Sequence, residues 1–229
     1  MPWSQSRNET DGREAVFNAP LVAVLLAASM PLMFLVQRQL PDFGLGLAFR
    51  PASLFDGGWW PGVVTDLFIH GGWSHVAMNA ALALAFGTPV ARLLGPRRGV
   101  FAFLAFYMAC GVAASVGYAL IHPTSQDMLL GASGAVFGLL GAALRLLGRR
   151  TGTLRPLTDR RVLVTSAILM VLNAALGLIG FAPGMEGARV AWEAHAVGFV
   201  LGILLIGPLA KVVRRESFDS SPDLSDPPI

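Results

Sequence analysis

"MLLGASGAVFGLLGAAL", residues 128–144, is apolar enough for a bilayer interior, yet it carries one hydroxyl, Ser133, set among glycines. Runs like it recur through the chain. Of 229 residues, 54% are hydrophobic and 14% charged, and the mean hydropathy is +0.61. That composition belongs to a membrane protein. Charges collect in short clusters between apolar runs, each long enough to cross a bilayer as a helix. Six runs are read: 16–36, 76–94, 100–121, 128–147, 162–182 and 190–210. An isolated strand would leave backbone groups unpaired in lipid, so all six are assigned as helices of an all-α, polytopic bundle. The first run is kept as a helix and not a signal peptide, because Asn18, Pro20 and Pro31 interrupt it and no clear cleavage site follows.

Fourteen of the seventeen basic residues fall on one side of this topology: Arg7, Arg13, Arg92, Arg97, Arg98, Arg145, Arg149, Arg150, Arg155, Arg160, Arg161, Lys211, Arg214 and Arg215. Only Arg38, Arg50 and Arg189 fall on the other. The positive-inside rule therefore predicts both termini in the cytosol, as for a multi-pass protein of a bacterial inner membrane. The sequence pI of about 9.7 then reports topology, not nucleic-acid binding. Residues 1–15 and 211–229 read as cytosolic tails around a domain spanning 16–210, with disorder expected in the Ser-, Asp- and Pro-rich end "ESFDSSPDLSDPPI". The stretch 37–75 is long for a loop but holds Phe43, Phe49, Phe55, Trp59 and Trp60, enough aromatic surface to lie in the outer interface. Cys110 is the lone cysteine, so neither a disulfide framework nor a cysteine metal cluster is expected.

Other polar groups share the depth of Ser133. Ser133 precedes Arg149 by sixteen residues and His195 precedes Lys211 by sixteen, roughly 24 Å of helix in each case. His75 and Asn79 precede Arg92 by seventeen and thirteen, roughly 26 and 20 Å. A polar layer within lipid is costly unless it faces the bundle interior or water, so it marks a site. A serine hydroxyl becomes a nucleophile when a base takes its proton, and His195 is the histidine of the sixth run. His75 and Asn79, four apart on one helix face, are placed to donate to an oxyanion, together with the Ser133 backbone N–H at the start of its helix. Gly131, Gly134, Gly138 and Gly141 in run four, with Gly198 and Gly202 in line with His195 in run six, allow close helix approach. Phe137, one turn after Ser133, is placed to pack on the His195 ring. Glu193 projects to a different face, so a two-member Ser-His dyad is expected, not a triad.

These residues carry a family resemblance. "HGGWSHVAMN" (His70, His75, Asn79), "GASGAVFG" (Ser133) and "AHAVGFVLG" (His195, Gly198, Gly202) resemble, in order, the second-, fourth- and sixth-helix motifs of the rhomboid intramembrane serine proteases of bacterial type. The resemblance implies a six-helix core with Ser133 as nucleophile and His195 as general base. It also implies an oxyanion hole of His75, Asn79 and the Ser133 N–H, and His70 as a structural anchor of the first loop. Pro61 stands where many relatives have a first-loop arginine. The implied activity is endopeptidase cleavage of transmembrane protein substrates near the outer face, without metal or cofactor. Two other readings are a catalytically silent rhomboid-like binding protein, which would lack the serine or the histidine, and a small transporter, which would place ionisable groups near the midplane. A membrane zinc protease would need H-E-x-x-H, which is absent. His122, beside Pro123, reads as an interfacial histidine.

Overall fold

The computed structural model describes residues 19–148, 153–180 and 190–219, with backbone only for 215–219. Six long helices carry the fold: α1 (Leu21–Gln37), α2 (Trp73–Leu94), α3 (Arg98–Ile121), α4 (Ser133–Leu144), α5 (Arg160–Ile179) and α6 (Trp192–Asp219). No strand occurs among the described residues, and the fold is an all-α bundle. Helices α2, α3, α5 and α6 are each long and apolar enough to cross a membrane; α1 and α4 are shorter apolar helices. Residues 1–18, 149–152, 181–189 and 220–229 lie outside the described residues, and with them the start of run one, the end of run five, Arg149, Arg150 and Arg189 of the topology reading, and the end of the C-terminal tail.

Run four differs from its expectation. Residues 128–147 were to form one helix, whereas α4 has twelve residues, about 18 Å of rise. Met128–Ala132 is not helical because its backbone groups find other partners: Leu129 exchanges both backbone hydrogen bonds with Phe49, at 3.0 and 2.7 Å, and the Gly131 N–H donates to the Asp66 carbonyl at 2.9 Å. Gly131 sits at φ +111, where a side chain would be strained, and a Cβ there would strike the His75 ring. The apolar character of this run thus comes from burial, not from helix throughout. The chain turns into α4 at Ser133, which puts the hydroxyl on a helix N-terminus inside the bundle.

α4 is the central helix. Nine of its twelve residues are buried, and it packs on α2, α3 and, most extensively, α6. The α4–α6 seam is built on glycine. A Cβ on Gly198 would fall on the Gly134 carbonyl, one on Gly202 on the Gly138 carbonyl, and one on Gly141 on the Phe199 carbonyl. The backbones touch, as small-residue packing permits in lipid.

The 37–72 segment is a folded cap with short helical turns at Pro41–Leu47, Pro51–Leu54, Gly62–Thr65 and Asp66–Phe68. Phe49, Leu67 and Ile69 are buried, while Trp59 and Trp60 are exposed. Gln37, at the end of α1, clasps the backbone of His70 from both sides: its Nε2 donates to the His70 carbonyl at 2.8 Å, and its Oε1 accepts the His70 N–H at 2.9 Å. Ser115 of α3 donates to Asp66 Oδ2 at 2.6 Å. Pro61 opens the turn Gly62–Thr65, its carbonyl accepting from the Val64 and Thr65 N–H groups. The segment is therefore tied to α1, α3 and residues 128–132 by bonds that need no arginine at 61.

Candidate active site

Ser133 and His195 meet across the glycine seam. His195 Nε2 lies 2.7 Å from Ser133 Oγ, hydrogen-bonding distance for proton transfer. The close backbones make this reach possible, because a serine side chain is short. Phe137 stacks on the imidazole with ring centroids 4.3 Å apart and planes within 8°. The rung of α4 that follows the serine therefore holds the histidine's plane.

The other ring nitrogen is also engaged. His195 Nδ1 lies 3.0 Å from Asn173 Oδ1 on α5, and Asn173 Nδ2 donates to the Trp192 carbonyl at 2.8 Å. Glu193 turns to the opposite side, its carboxylate 3.2 Å from His122 Nε2. The pairing gives His122 a partner between α3 and α6 at the cap end of the bundle.

His75 and Asn79 border the same cavity as Ser133 and His195. His75 Nδ1 accepts the Gly71 N–H at 3.4 Å, so the neutral ring carries its proton on Nε2, the edge that lies against Gly131. Asn79 Nδ2 donates to the His75 carbonyl one turn earlier at 3.1 Å, leaving a second amide hydrogen. The first N–H groups of α4 have no partner within the helix and, with the helix dipole, favour negative charge beside Ser133. The cavity measures about 710 Å³ and extends from these polar groups between α2, through Met78 and Leu82, and α5, through Leu169, Leu172 and Leu176. Its walls are largely apolar, with His75, Asn79, Ser133, Asn173 and His195 among its few polar groups.

His70 is buried outside this cavity, edge-on to His75 with ring centroids 5.2 Å apart. Neither of its ring nitrogens has a partner among the described residues. Burial, with His75 nearby, pushes its imidazole down to about 4, so it is neutral at physiological pH. Asp66 is held well above the usual carboxylate range by burial, despite the Ser115 hydrogen bond.

Three residues around the site escape the sequence reading. Asn173 is a single amide inside an apolar run, Asp66 sits in what reads as a loop, and Gln37 marks only the end of a helix. The signal for Asn173 is the cost of an amide within a membrane-length helix; Asp66, in the cap, offers none. Gln37 offers no local signal.

Comparison with known proteins agrees with the motifs. The sequence model of the Rhomboid domain matches residues 56–212. The chain is 30% identical to Rhomboid-like protein 11, chloroplastic, of Arabidopsis thaliana, over 66% of this chain and 53% of that protein. It is 32% identical to rhomboid protease GluP of Bacillus subtilis, over 53% of this chain and 22% of that protein. It is 27% identical to the putative rhomboid protease YdcA of the same bacterium, over 66% and 69%. The chain spans about half the length of the first of these relatives and about a fifth of the second. With its membrane-length helices, the match over most of the chain makes this an integral multi-pass membrane protein, and it belongs to the rhomboid family.

Proposed function

We propose that this protein is an intramembrane serine endopeptidase whose protease domain spans residues 16–210, with Ser133 as nucleophile and His195 as general base. The observation that carries the reading is the 2.7 Å contact between His195 Nε2 and Ser133 Oγ on the wall of the cavity. His195 takes the hydroxyl proton as Oγ bonds to the carbonyl carbon of a substrate peptide. The resulting oxyanion is met by the His75 Nε2–H, the free Asn79 amide hydrogen and the Ser133 backbone N–H. The tetrahedral intermediate collapses, the C–N bond breaks, and His195 returns the proton to the leaving amine. Water, deprotonated by the same imidazole, then cleaves the acyl-serine ester.

The substrate is a transmembrane segment of another protein, reaching Ser133 through the cavity between α2 and α5. A helix shields its own peptide bonds, so the segment unwinds locally and Gly or Pro in it favours cleavage. The arginine asymmetry supports both termini in the cytosol of a bacterial inner membrane, and hence a cut in the outer third of the substrate segment or just beyond it.

The test is cleavage of a reporter transmembrane substrate in proteoliposomes. Ser133→Ala and His195→Ala should each lower the rate by about 10⁴-fold or more, and the double variant little further, since the two groups act as a unit. Undiminished cleavage by either single variant would overturn the assignment. Mass spectrometry of the fragments locates the cut, and a site at the cytosolic boundary would contradict the topology.

A further inference from the structure

One more residue bears on this chemistry. Asn173 stands on α5, a helix with only two buried side chains among the described residues, Val162 and Asn173 itself. Its amide is pinned at both ends. The Trp192 carbonyl can only accept, so the amide nitrogen must face it, at 2.8 Å. That leaves Oδ1 toward His195 Nδ1, at 3.0 Å. An amide oxygen can only accept, so Nδ1 must carry the imidazole proton. Nε2 is then bare, and it is the atom that faces Ser133 Oγ.

We infer that Asn173 is the third, positioning member of the site: it holds His195 in the Nδ1–H tautomer and strengthens its hold as the imidazolium forms. The inference rests on the Ser133–His195 reading given above. Asn173 does for a neutral acceptor what the buried carboxylate does in a Ser-His-Asp triad, fixing ring orientation and tautomer without taking the proton. Because the acceptor rides on α5, the histidine is set for proton transfer only while that helix lies against α6. The same contact makes α5 part of the site.

Other charged or titratable groups do not take this role. His75 of α2 and Asp127 of the α3–α4 connection border the same cavity, and Glu193 of α6 is engaged by His122. None of these is bonded to His195 Nδ1.

Asn173→Leu keeps the volume and removes the acceptor; Asn173→Asp keeps an acceptor and removes the donor to Trp192. The Leu variant should lose about 10- to 100-fold in kcat, the range for a hydrogen bond to a group that becomes charged, with KM within about twofold. Its rate of covalent labelling by a fluorophosphonate should fall in parallel, since labelling reads Ser133 activation without the natural substrate. The Asp variant should recover most of the kcat, and its acidic limb should move to higher pH because a carboxylate favours the imidazolium. Unchanged kcat and labelling in Asn173→Leu would overturn the inference. So would an Asp variant as impaired as Leu, which would assign Asn173 to tying α5 to Trp192. Should the Leu variant fail to fold, nitrogen-15 shifts of His195 in the unaltered protein decide the matter: a protonated Nε2 with a bare Nδ1 overturns it. If the unaltered protein neither cleaves nor labels, the protease reading and its third member fall together. If it does both and Asn173→Leu is silent, only the third member falls.

Discussion

Two neighbours of His195 are packed in opposite ways. On one side, α4 and α6 meet backbone to backbone, with Gly134, Gly138 and Gly141 facing Gly198, Gly202 and the Phe199 carbonyl. On the other, α5 leaves most of its surface open: Leu178 is 79% exposed, Val171 70% and Ile168 62%. It meets α6 through few groups, chiefly Asn173, Gly177 against the Trp192 side chain, and a small apolar cluster near Val162 and Phe199. Ser133 and His195, proposed to react, belong to the closely packed pair. The third polar contact belongs to the loosely held helix, beside which the cavity opens. Such packing would hold the proposed nucleophile and base fixed while leaving one cavity wall able to yield.

The largest effect should come from the seam. In Gly198→Val the new side chain falls on the Gly134 carbonyl, and backbone cannot give way as a flexible side chain can. The helices must separate, which costs at least the upper end of the overpacking range, about 3 kcal/mol. Separation also carries His195 away from Ser133. Folded yield in detergent, thermal unfolding and cleavage should all collapse together. A Gly198→Val protein with unaltered melting and activity would show that the close approach is not needed for either.

How far this contrast can be read in the amino-acid sequence differs between its two halves. The seam is legible because its requirement is local: glycines recur three and four residues apart, in register with Ser133 on one helix and His195 on the other. The six apolar runs are legible for the same reason, since bilayer thickness imposes a length. The start of α4 is not. Leu129 and Leu130 are as apolar as helical residues, and only distant partners, Phe49 and the Asp66 carbonyl, supply the backbone bonds that keep Met128–Ala132 out of the helix. Asn173 is hidden similarly, twenty-two positions from the ring it meets. A search for a charged third member passes over it, because the partner is an amide. Gln37 and Asp66 also act through long-range contacts, to the backbone of His70 and the hydroxyl of Ser115.

The cap above the seam provides the next test. Asp66 has its pKa raised by burial, so the folded chain keeps a proton that the unfolded chain gives up near pH 4. Between the unfolded and the raised folded pKa, the unfolded state binds fewer protons, and stability falls as pH rises. Asp66→Asn keeps an acceptor for the Ser115 hydroxyl and removes that loss. Its melting temperature should match the unaltered protein at about pH 4 and exceed it increasingly toward neutrality, by about 2–4 °C for each kcal/mol relieved. A gap independent of pH would mean that Asp66 is ionised in the folded cap.

A smaller effect is expected where the seam supports the base. Phe137→Ala removes a stacked ring, a contact worth about 0.5–1.5 kcal/mol. If that contact serves mainly to hold the imidazole, labelling of Ser133 by a fluorophosphonate should slow roughly 2- to 10-fold. Because Phe137 also borders the cavity, the labelling rate is a cleaner measure than turnover of a large substrate. An unaltered rate would assign the ring to the cavity wall alone.

The smallest effect should come from the outer face of α5. Val171 is 70% exposed and Leu178 79%, so Val171→Ala and Leu178→Ala remove methyl groups that touch lipid, not protein. Lipid tails are as apolar as the side chains they replace, and no cavity is left inside the bundle. Stability should change by less than about 0.5 kcal/mol and cleavage by less than about twofold. The buried Leu139 of α4 gives the internal scale, since Leu139→Ala in the same protein should cost about 2–5 kcal/mol. Melting curves for the three variants in one detergent make the comparison direct. Should Val171→Ala cost as much as Leu139→Ala, the exposed face of α5 must be covered in the working protein, and the helix would be held as firmly as the seam. The yielding wall would then have to be sought elsewhere, and the dependence of His195 on Asn173 would lose its link to helix movement.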